Sequence, residues 1–251
     1  MHSLLAVLAI VSGAYDPGTA PPDPAPRPSS SGRVLHVGRG GIQATVDRAR
    51  PGDTIRVARG RYRGRVEIRG ASKRGVRLIG EGATIDGAVA VRDTAAIELR
   101  GLTVTRGVVV DDVDRYGLDQ VHVVGAGVAV RGSSGGAITR VRVQGSPGAG
   151  ISLATSPAQL RATRTFVRDV TVQGNATGIA LDSVRAVTVS RARVLGNATG
   201  VSASGTREAV LSDSDVRGSQ IGVSLSAGSD LLLAGIRLES NVTDVVNPPE
   251  S

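Results

Sequence analysis

The stretch Gly174-Asn175-Ala176-Thr177-Gly178 recurs letter for letter as Gly196-Asn197-Ala198-Thr199-Gly200, a period of 22 residues. The frame runs on: Gly196 maps to Gly218, Gly200 to Gly222, and Asn197 to Ser219 and then Asn241. Three apolar pairs, each spaced i, i+2, repeat inside it. The first is Ile179/Leu181, Val201/Ala203, Val223/Leu225. The second is Val187/Val189, Ala209/Leu211, Leu231/Leu233. The third is Val170/Val172, Ala192/Val194, Ile236/Leu238. An i, i+2 pair is the inward face of a very short strand. Between the second and third pairs the inward parity flips, at Ser190 for example, and a flip requires a bend. Three short strands per period, each stacked on its counterpart one period later, make one coil of a parallel β-helix.

The pattern extends backwards with looser spacing. Gly87, Gly107, Gly127 and Gly150 open the strands GAVA, GVVV, GVAV and GISL, at steps of 20, 20 and 23, and a step of 28 then leads to Gly178. The long step holds an insertion around residues 155–162. Ile55/Val57, Val66/Ile68 and Val76/Leu78 supply earlier strands. The expected fold is all-β: a single-stranded right-handed parallel β-helix of roughly nine coils, about 40 Å tall at the strand spacing. Ile42, Val46 and Ala49 fall on one helical face before Pro51-Gly52, which predicts an N-terminal α-helical cap. At the other end Asn247-Pro248-Pro249 breaks the ladder, and no capping helix is predicted.

Composition agrees with a thin solenoid. Of 251 residues, 40% are hydrophobic but only 2% aromatic, and 34 are Gly. Aliphatic side chains must fill the core, with many sharp turns. Zero Cys excludes disulfides, thiolate metal sites and thiol nucleophiles, and His2, His36 and His122 make no imidazole cluster. No cofactor is expected beyond a possible calcium.

Residues 1–14 read as a signal-like segment, with the apolar run Leu4 to Val11 ahead of Ser12-Gly13-Ala14. Eight apolar residues are too few to span a bilayer. Residues 15–32 are a Pro-rich disordered linker, and 33–251 form the β-helix domain. Export to the cell surface or another extracytoplasmic site is expected, with no transmembrane span.

The net charge of +8 is unevenly placed. Residues 33–80 hold 12 Arg and Lys73 against Asp47, Asp53 and Glu67, a local balance of +10, while the rest sums to −2. Arg56, Arg61, Arg63, Arg65, Arg69 and Arg77 are the candidate anion-binding set. Their partner would be acidic polysaccharide or another polyanion at the cell envelope. No nucleic-acid motif appears. The bland alternative is GC-rich coding, which favours Arg, Ala, Gly and Val together.

The stretch IQATVDRARPGDTIRVARGRYRGRVEI (residues 42–68), followed by LIGEGATIDG (78–87), resembles the entry segment of right-handed parallel β-helix proteins of the pectate-lyase-like superfamily. The resemblance covers residues 34 to about 246. It implies an architecture shared by lyases, hydrolases, C5-epimerases, esterases, tailspikes and non-catalytic surface proteins. Its enzymes use paired carboxylates, or Asp-bound calcium with an Arg or Lys base. The positions expected to face outward on the Gly-opened strands (Val89, Val109, Ala129, Ser152, Ala180, Ser202 and Ser224) include no acid, base or aromatic ring. The residues before the later glycines (Arg106, Ala126, Ala149, Thr177, Thr199 and Ile221) include no carboxylate, where galacturonan hydrolases keep Asp.

One coil is unusual. Residues 111–122, DDVDRYGLDQVH, carry the densest set of titratable side chains. As a site, Asp111, Asp112 and Asp114 would hold calcium. Asp111, Asp112 and Asp119 would hold calcium or orient substrate. Arg115 or Arg131 would neutralise a carboxylate, and Tyr116 or His122 would transfer a proton. Tyr116-Gly117-Leu118-Asp119 resembles the start of the mannuronan C5-epimerase motif, but Gln120-Val121-His122 stand where that family has Pro-His and an acid. The alternative is an ion-paired turn, with Arg92–Asp112 and Asp111–Arg131 rungs under a Tyr lid. Charge ladders elsewhere favour that reading: Arg193, Asp215 and Arg237 share one position, and Asp169, Arg191 and Asp213 another. Asn175, Asn197 and Asn241 are Asn-x-Thr sequons, read more simply as left-handed turns with an amide ladder.

Three functions follow. The leading one is a secreted or envelope β-helix that binds or scaffolds, on anionic glycan, with no intact catalytic motif. The others are a lyase or C5-epimerase of acidic polysaccharide, and a spike or adhesin module. Trimeric association would need an apolar stripe, for which Val89, Val109 and Ala129 are the candidate.

Overall fold

A computed structural model describes residues 32–38, 41–155 and 164–247. The signal-like segment, the Pro-rich linker, most of the 155–162 insertion and Pro248-Pro249 lie outside these residues.

The chain winds into an all-β, right-handed parallel β-helix of about nine coils. Among the described residues 24 strands pair only in parallel, each with the strand one coil away. They form three sheets. Sheet A runs from Val34–His36 and Thr54–Val57 through Ala137–Thr139, Thr165–Arg168, Val187–Ser190 and Ala209–Ser212 to Leu231–Ala234. Sheet B runs from Gly60–Arg63 through Arg142–Gln144, Thr171–Gln173, Arg193–Leu195 and Asp215–Arg217 to Arg237–Glu239. Sheet C runs from Val66–Arg69 through Val128–Arg131, Ala149–Ala154, Thr177–Asp182, Thr199–Ser204 and Ile221–Leu225 to Thr243–Val246.

The i, i+2 pairs are the inward rungs. In sheet B, Val123, Val143, Val172, Val194 and Val216 stack in register and are all buried. Valine suits this position because its branched Cβ packs well on a pleated surface. The parity flip between sheets A and B has a backbone cause. Gly101, Gln120, Arg140, Asp169, Arg191, Asp213 and Gly235 each adopt positive φ at that bend, one per coil.

The bend from B to C turns on Gly125, Gly145, Gly174, Gly196 and Gly218, also at positive φ. The left-handed residue is therefore the one before each asparagine, Gly174, Gly196 and Ser240, which corrects the expectation placed on Asn175, Asn197 and Asn241. The asparagines supply the amide ladder. The Ser146 N–H donates to Asn175 Oδ1 (2.8 Å), the Asn175 N–H to Asn197 Oδ1 (2.9 Å), and the Ser219 N–H to Asn241 Oδ1 (3.0 Å). The second glycine of each repeat makes room for it. A Cβ on Gly150, Gly178 or Gly222 would lie 2.9, 3.0 and 3.0 Å from the Nδ2 of Asn175, Asn197 and Asn241.

The helix Gly41–Arg48 covers the first coil, burying Ile42, Thr45 and Val46. Asp53 fastens the turn behind it, accepting from Arg33 N (2.9 Å), Arg50 N (2.9 Å) and Arg33 Nη2 (2.7 Å). Burial pushes the Asp53 carboxyl up, but these donors outweigh it and hold the group down at about 2.

One register expectation is wrong by a residue. Val89 pairs with Val66 and Val108 and is fully buried, so the outward line is Ala90, Val109, Ala129 and Ser152. Gly87 and Gly107 are therefore not equivalent. The proposed stripe of Val89, Val109 and Ala129 does not exist, since one of its three members is core.

Candidate functional site

Residues 111–122 occupy three different places on one coil. Asp111 ends the sheet C part of the strand Val108–Asp119, and Asp119 ends its sheet A part. Between them Asp112 and Arg115 turn the chain at positive φ. His122 lies on sheet B, between Thr103 and Arg142. Asp111 and Asp119 are thus at different corners of the coil, and His122 is on a further face. Among the described residues no three His, Cys, Asp or Glu side chains converge to hold a metal.

Each carboxylate of the patch has a basic or polar partner. Asp111 lies 3.8 Å from Arg92, which also approaches Glu67 at 3.7 Å, and Asp111 is in register with Arg131. The expected Arg92–Asp112 rung is therefore Arg92–Asp111, displaced by the same residue as Val89. Asp112 is exposed and also engaged. Asp114 meets Arg115 (3.5 Å) and accepts from Ser134 Oγ (3.3 Å). Asp119 is the most enclosed of them. It is 2.6 Å from Arg140 and 3.5 Å from Arg100, and accepts from Thr139 Oγ1 at 3.0 Å. Arg140, Arg100 and Thr139 were not singled out in the sequence, though Thr139 and Arg140 lie one coil beyond Asp119 and counting rungs would have found them.

Tyr116 is neither a lid nor a proton donor at a surface. It is 1% exposed, and its hydroxyl pairs with Thr165 Oγ1 at 3.2 Å. Burial pushes the phenol well above its ordinary pKa, partly offset by the Thr165 hydrogen bond. The ring fits because the next coil places Gly136 over it, where a Cβ would sit 2.0 Å from Cζ.

The arginines of the first coils are also largely engaged. Arg56 meets Glu81 (3.0 Å), Arg61 meets Asp86 (3.1 Å), Arg69 meets Asp93 (2.9 Å) and Arg77 meets Glu98 (2.6 Å). Arg65 reaches Glu67 at 3.6 Å. Four of these five acids lie one coil later in the chain, beyond residue 80. The +10 of residues 33–80 is therefore partly neutralised in space. Asp86 is held below the usual carboxylate range by the Thr105 hydroxyl and by Arg61. Of the six candidate arginines only Arg63 lacks an acidic partner among the described residues. Arg59 is in the same state beside it.

Two recesses accompany these groups. An open groove of about 660 Å³ follows the bend from sheet B to sheet C, lined by Val124, Gln144, Gln173, Leu195 and their following glycines. A smaller one of about 380 Å³ lies at the capped end, between Arg33, Val34, Leu35, His36, Thr45 and Arg48. Neither encloses a carboxylate.

Parallel three-sheet coils, an asparagine ladder and a helical first-coil cap define a right-handed parallel β-helix. The family described as periplasmic copper-binding protein (NosD) matches residues 82–249, and the chain belongs to that family. No curated protein matches the sequence. Among solved structures, an alginate lyase from Paenibacillus sp. str. FPU-7 is 14% identical, with a TM-score of 0.56 over 83% of this chain and 97% of that one. Pectate lyase Pel9A is 10% identical, with a TM-score of 0.62 over 88% and 81%. Endo-xylogalacturonan hydrolase from Aspergillus tubingensis is 10% identical, with a TM-score of 0.51 over 85% and 95%. These likenesses show the fold.

The described residues do not fit a copper ion. Copper sites draw on thiolate, thioether and imidazole donors. The chain has no Cys and one Met, Met1. His36, in the first strand of sheet A, and His122, several coils away on sheet B, cannot meet. Among the described residues no helix is long and apolar enough to cross a membrane, in keeping with the family's periplasmic description.

Proposed function

We propose that this protein is an exported β-helix that binds acidic polysaccharide at the cell envelope without turning it over. Export is supported by the apolar run Leu4 to Val11 and by the family's periplasmic description. The observation that carries the binding reading is the arginine edge of the first coil. The strand Gly60–Arg63 is the outermost of sheet B; Arg61 and Arg63 stand on it and Arg59 just before it, all exposed, and Arg59 and Arg63 have no acidic partner among the described residues. Ion pairs as exposed as Arg61–Asp86 are weak, so a polyanion competes for their cations. Side chains that would cut or epimerise a sugar chain do not meet: Asp119 is held by two arginines, Tyr116 is core, and Asp111 faces Arg92.

The test is binding to immobilised alginate, pectate and hyaluronan while ionic strength rises from about 0.05 M to about 0.5 M, where exposed charge interactions are screened. Affinity is expected to fall steeply with salt and to weaken further with Arg59→Glu and Arg63→Glu. Salt-independent binding, or full binding by both variants, overturns the reading.

A further inference from the structure

The two ends of the solenoid, as far as its described residues run, are finished differently. At the first coil the helix Gly41–Arg48 covers the core, and arginines stand along the edge strand Gly60–Arg63. Both devices block pairing with another sheet. At the last described coil the strands Leu231–Ala234, Arg237–Glu239 and Thr243–Val246 are each paired on one side only. Their outer backbone N–H and C=O groups have no described strand against them. The inward rungs Leu231, Leu233 and Leu238 are only half-buried, and Val245 is 42% exposed, whereas Leu211, Val216 and Val223 one coil earlier are fully buried. Four of the five exposed large hydrophobic residues, Leu232, Val242, Val245 and Val246, belong to this coil.

We propose that this end is the interface for a second copy of the chain, joined tail to tail. A two-fold axis perpendicular to the solenoid and passing through Leu238 lays the strand Arg237–Glu239 antiparallel on its own copy. The same rotation sets Leu231–Ala234 against the partner's sheet C strand, and Thr243–Val246 against the partner's sheet A strand. Every edge strand then has a neighbour, and the aliphatic ladders run on through the interface. Charge fits the same operation. Arg237 and Glu239 project outward on either side of Leu238, 3.4 Å apart in the single chain. Under the two-fold, Arg237 faces the partner's Glu239 and Glu239 faces the partner's Arg237. Opposite charges directly across an antiparallel pair are favourable and like charges are not. The contact is isologous, and the capped first coil cannot take part, so association closes at two copies and does not grow into a fibre.

Sedimentation equilibrium across a micromolar concentration range tests the proposal. The expected species is a monomer–dimer equilibrium with no larger mass. Arg237→Glu places two like-charge pairs across the axis and is expected to raise the dimer dissociation constant by about tenfold or more. A thermal melt of the dilute variant shows whether it still folds. Leu238→Cys gives an independent reading in a chain that has no cysteine of its own. Residue 238 lies on the axis, so oxidation is expected to yield a covalent dimer. A monomer at all concentrations with no disulfide-linked product, growth beyond two copies, or a folded Arg237→Glu variant that associates as tightly as the parent each overturn the proposal. The first of these would mean that another partner covers the end.

Discussion

Ser219→Asn should stabilise the protein, and the argument follows from the ladder. Three rungs place an asparagine Oδ1 2.8–3.0 Å from a backbone N–H of the previous coil. Two of these asparagines return their Nδ2 to the chain below, Asn197 to Val172 O at 3.4 Å and Asn241 to Val216 O at 3.0 Å, while Asn175 Nδ2 donates to Asn197 Oδ1 at 3.0 Å. Ser219 occupies the equivalent position between Asn197 and Asn241. It is buried, and its Oγ makes no hydrogen bond, so the Asn197 N–H lacks the rung that the Asn175 N–H has. The slot for a longer side chain exists, because Gly200 is bare where Gly178 and Gly222 are bare beneath Asn197 and Asn241. An asparagine at 219 would accept from Asn197 N and donate to Val194 O, 25 residues back as in the other rungs. Two neutral hydrogen bonds, less the entropy of holding the side chain, amount to about 1–2 kcal/mol. That corresponds to a rise in Tm of roughly 3–6 °C for a chain of this size. Calorimetric melts of the parent, Ser219→Asn and Ser219→Ala measure it, with Asn197→Ala as the opposite control at a loss of about 3 kcal/mol. A lowered Tm for Ser219→Asn would refute the ladder argument. So would a loss for Ser219→Ala as large as that for Asn197→Ala, since it would mean the serine hydroxyl is bonded after all.

Three other outcomes follow from the structure. Gly136→Ala should cost about 3 kcal/mol, because its Cβ enters the Tyr116 ring, and combining it with Tyr116→Leu should cost less than the two single losses added together; additive losses in chemical denaturation would show the two do not touch. Tyr116→Phe should cost about 1 kcal/mol through the lost Thr165 contact, and an unchanged Tm would place the hydroxyl elsewhere. Asp53 has a folded pKa of about 2, below its ordinary 3.8, so it stabilises the fold above pH 4 and that contribution is lost as pH falls from there through 2. Tm measured over this range should drop more for the parent than for Asp53→Asn, and parallel curves would contradict the assignment.

The fold was legible because its signal is periodic. The repeated GNATG, the i, i+2 pairs and the parity flip at Ser190 each report backbone geometry, and the structure contains all three. What escaped was cross-coil chemistry. Coil length varies, so a rung-to-rung match made from sequence slips by a residue wherever the spacing changes. That slip put Val89 on the surface and set Arg92 beside Asp112 in place of Asp111. The basic window looks more strongly charged in the sequence than it is in space. Its acids (Glu81, Asp86, Asp93 and Glu98) are distant in sequence but adjacent in space. Tyr116 looked functional because it stands among charges, yet the left-handed turn at Arg115 breaks the alternation and turns it inward while Asp114 faces out. The open last coil was missed because Leu231, Leu233 and Leu238 read in the sequence as ordinary inward rungs, and only the structure shows that no further described strand stacks on them.

The central claim is binding without turnover. Incubating one preparation with alginate, pectate and hyaluronan, with and without calcium, tests it directly. Ultraviolet absorbance reads the unsaturated product of a lyase, NMR of the recovered polymer reads epimerisation, and co-sedimentation reads binding. The account predicts salt-sensitive binding to at least one of these polymers with every polymer recovered chemically unchanged. Unsaturated ends or inverted C5 centres that appear with the folded protein would contradict it.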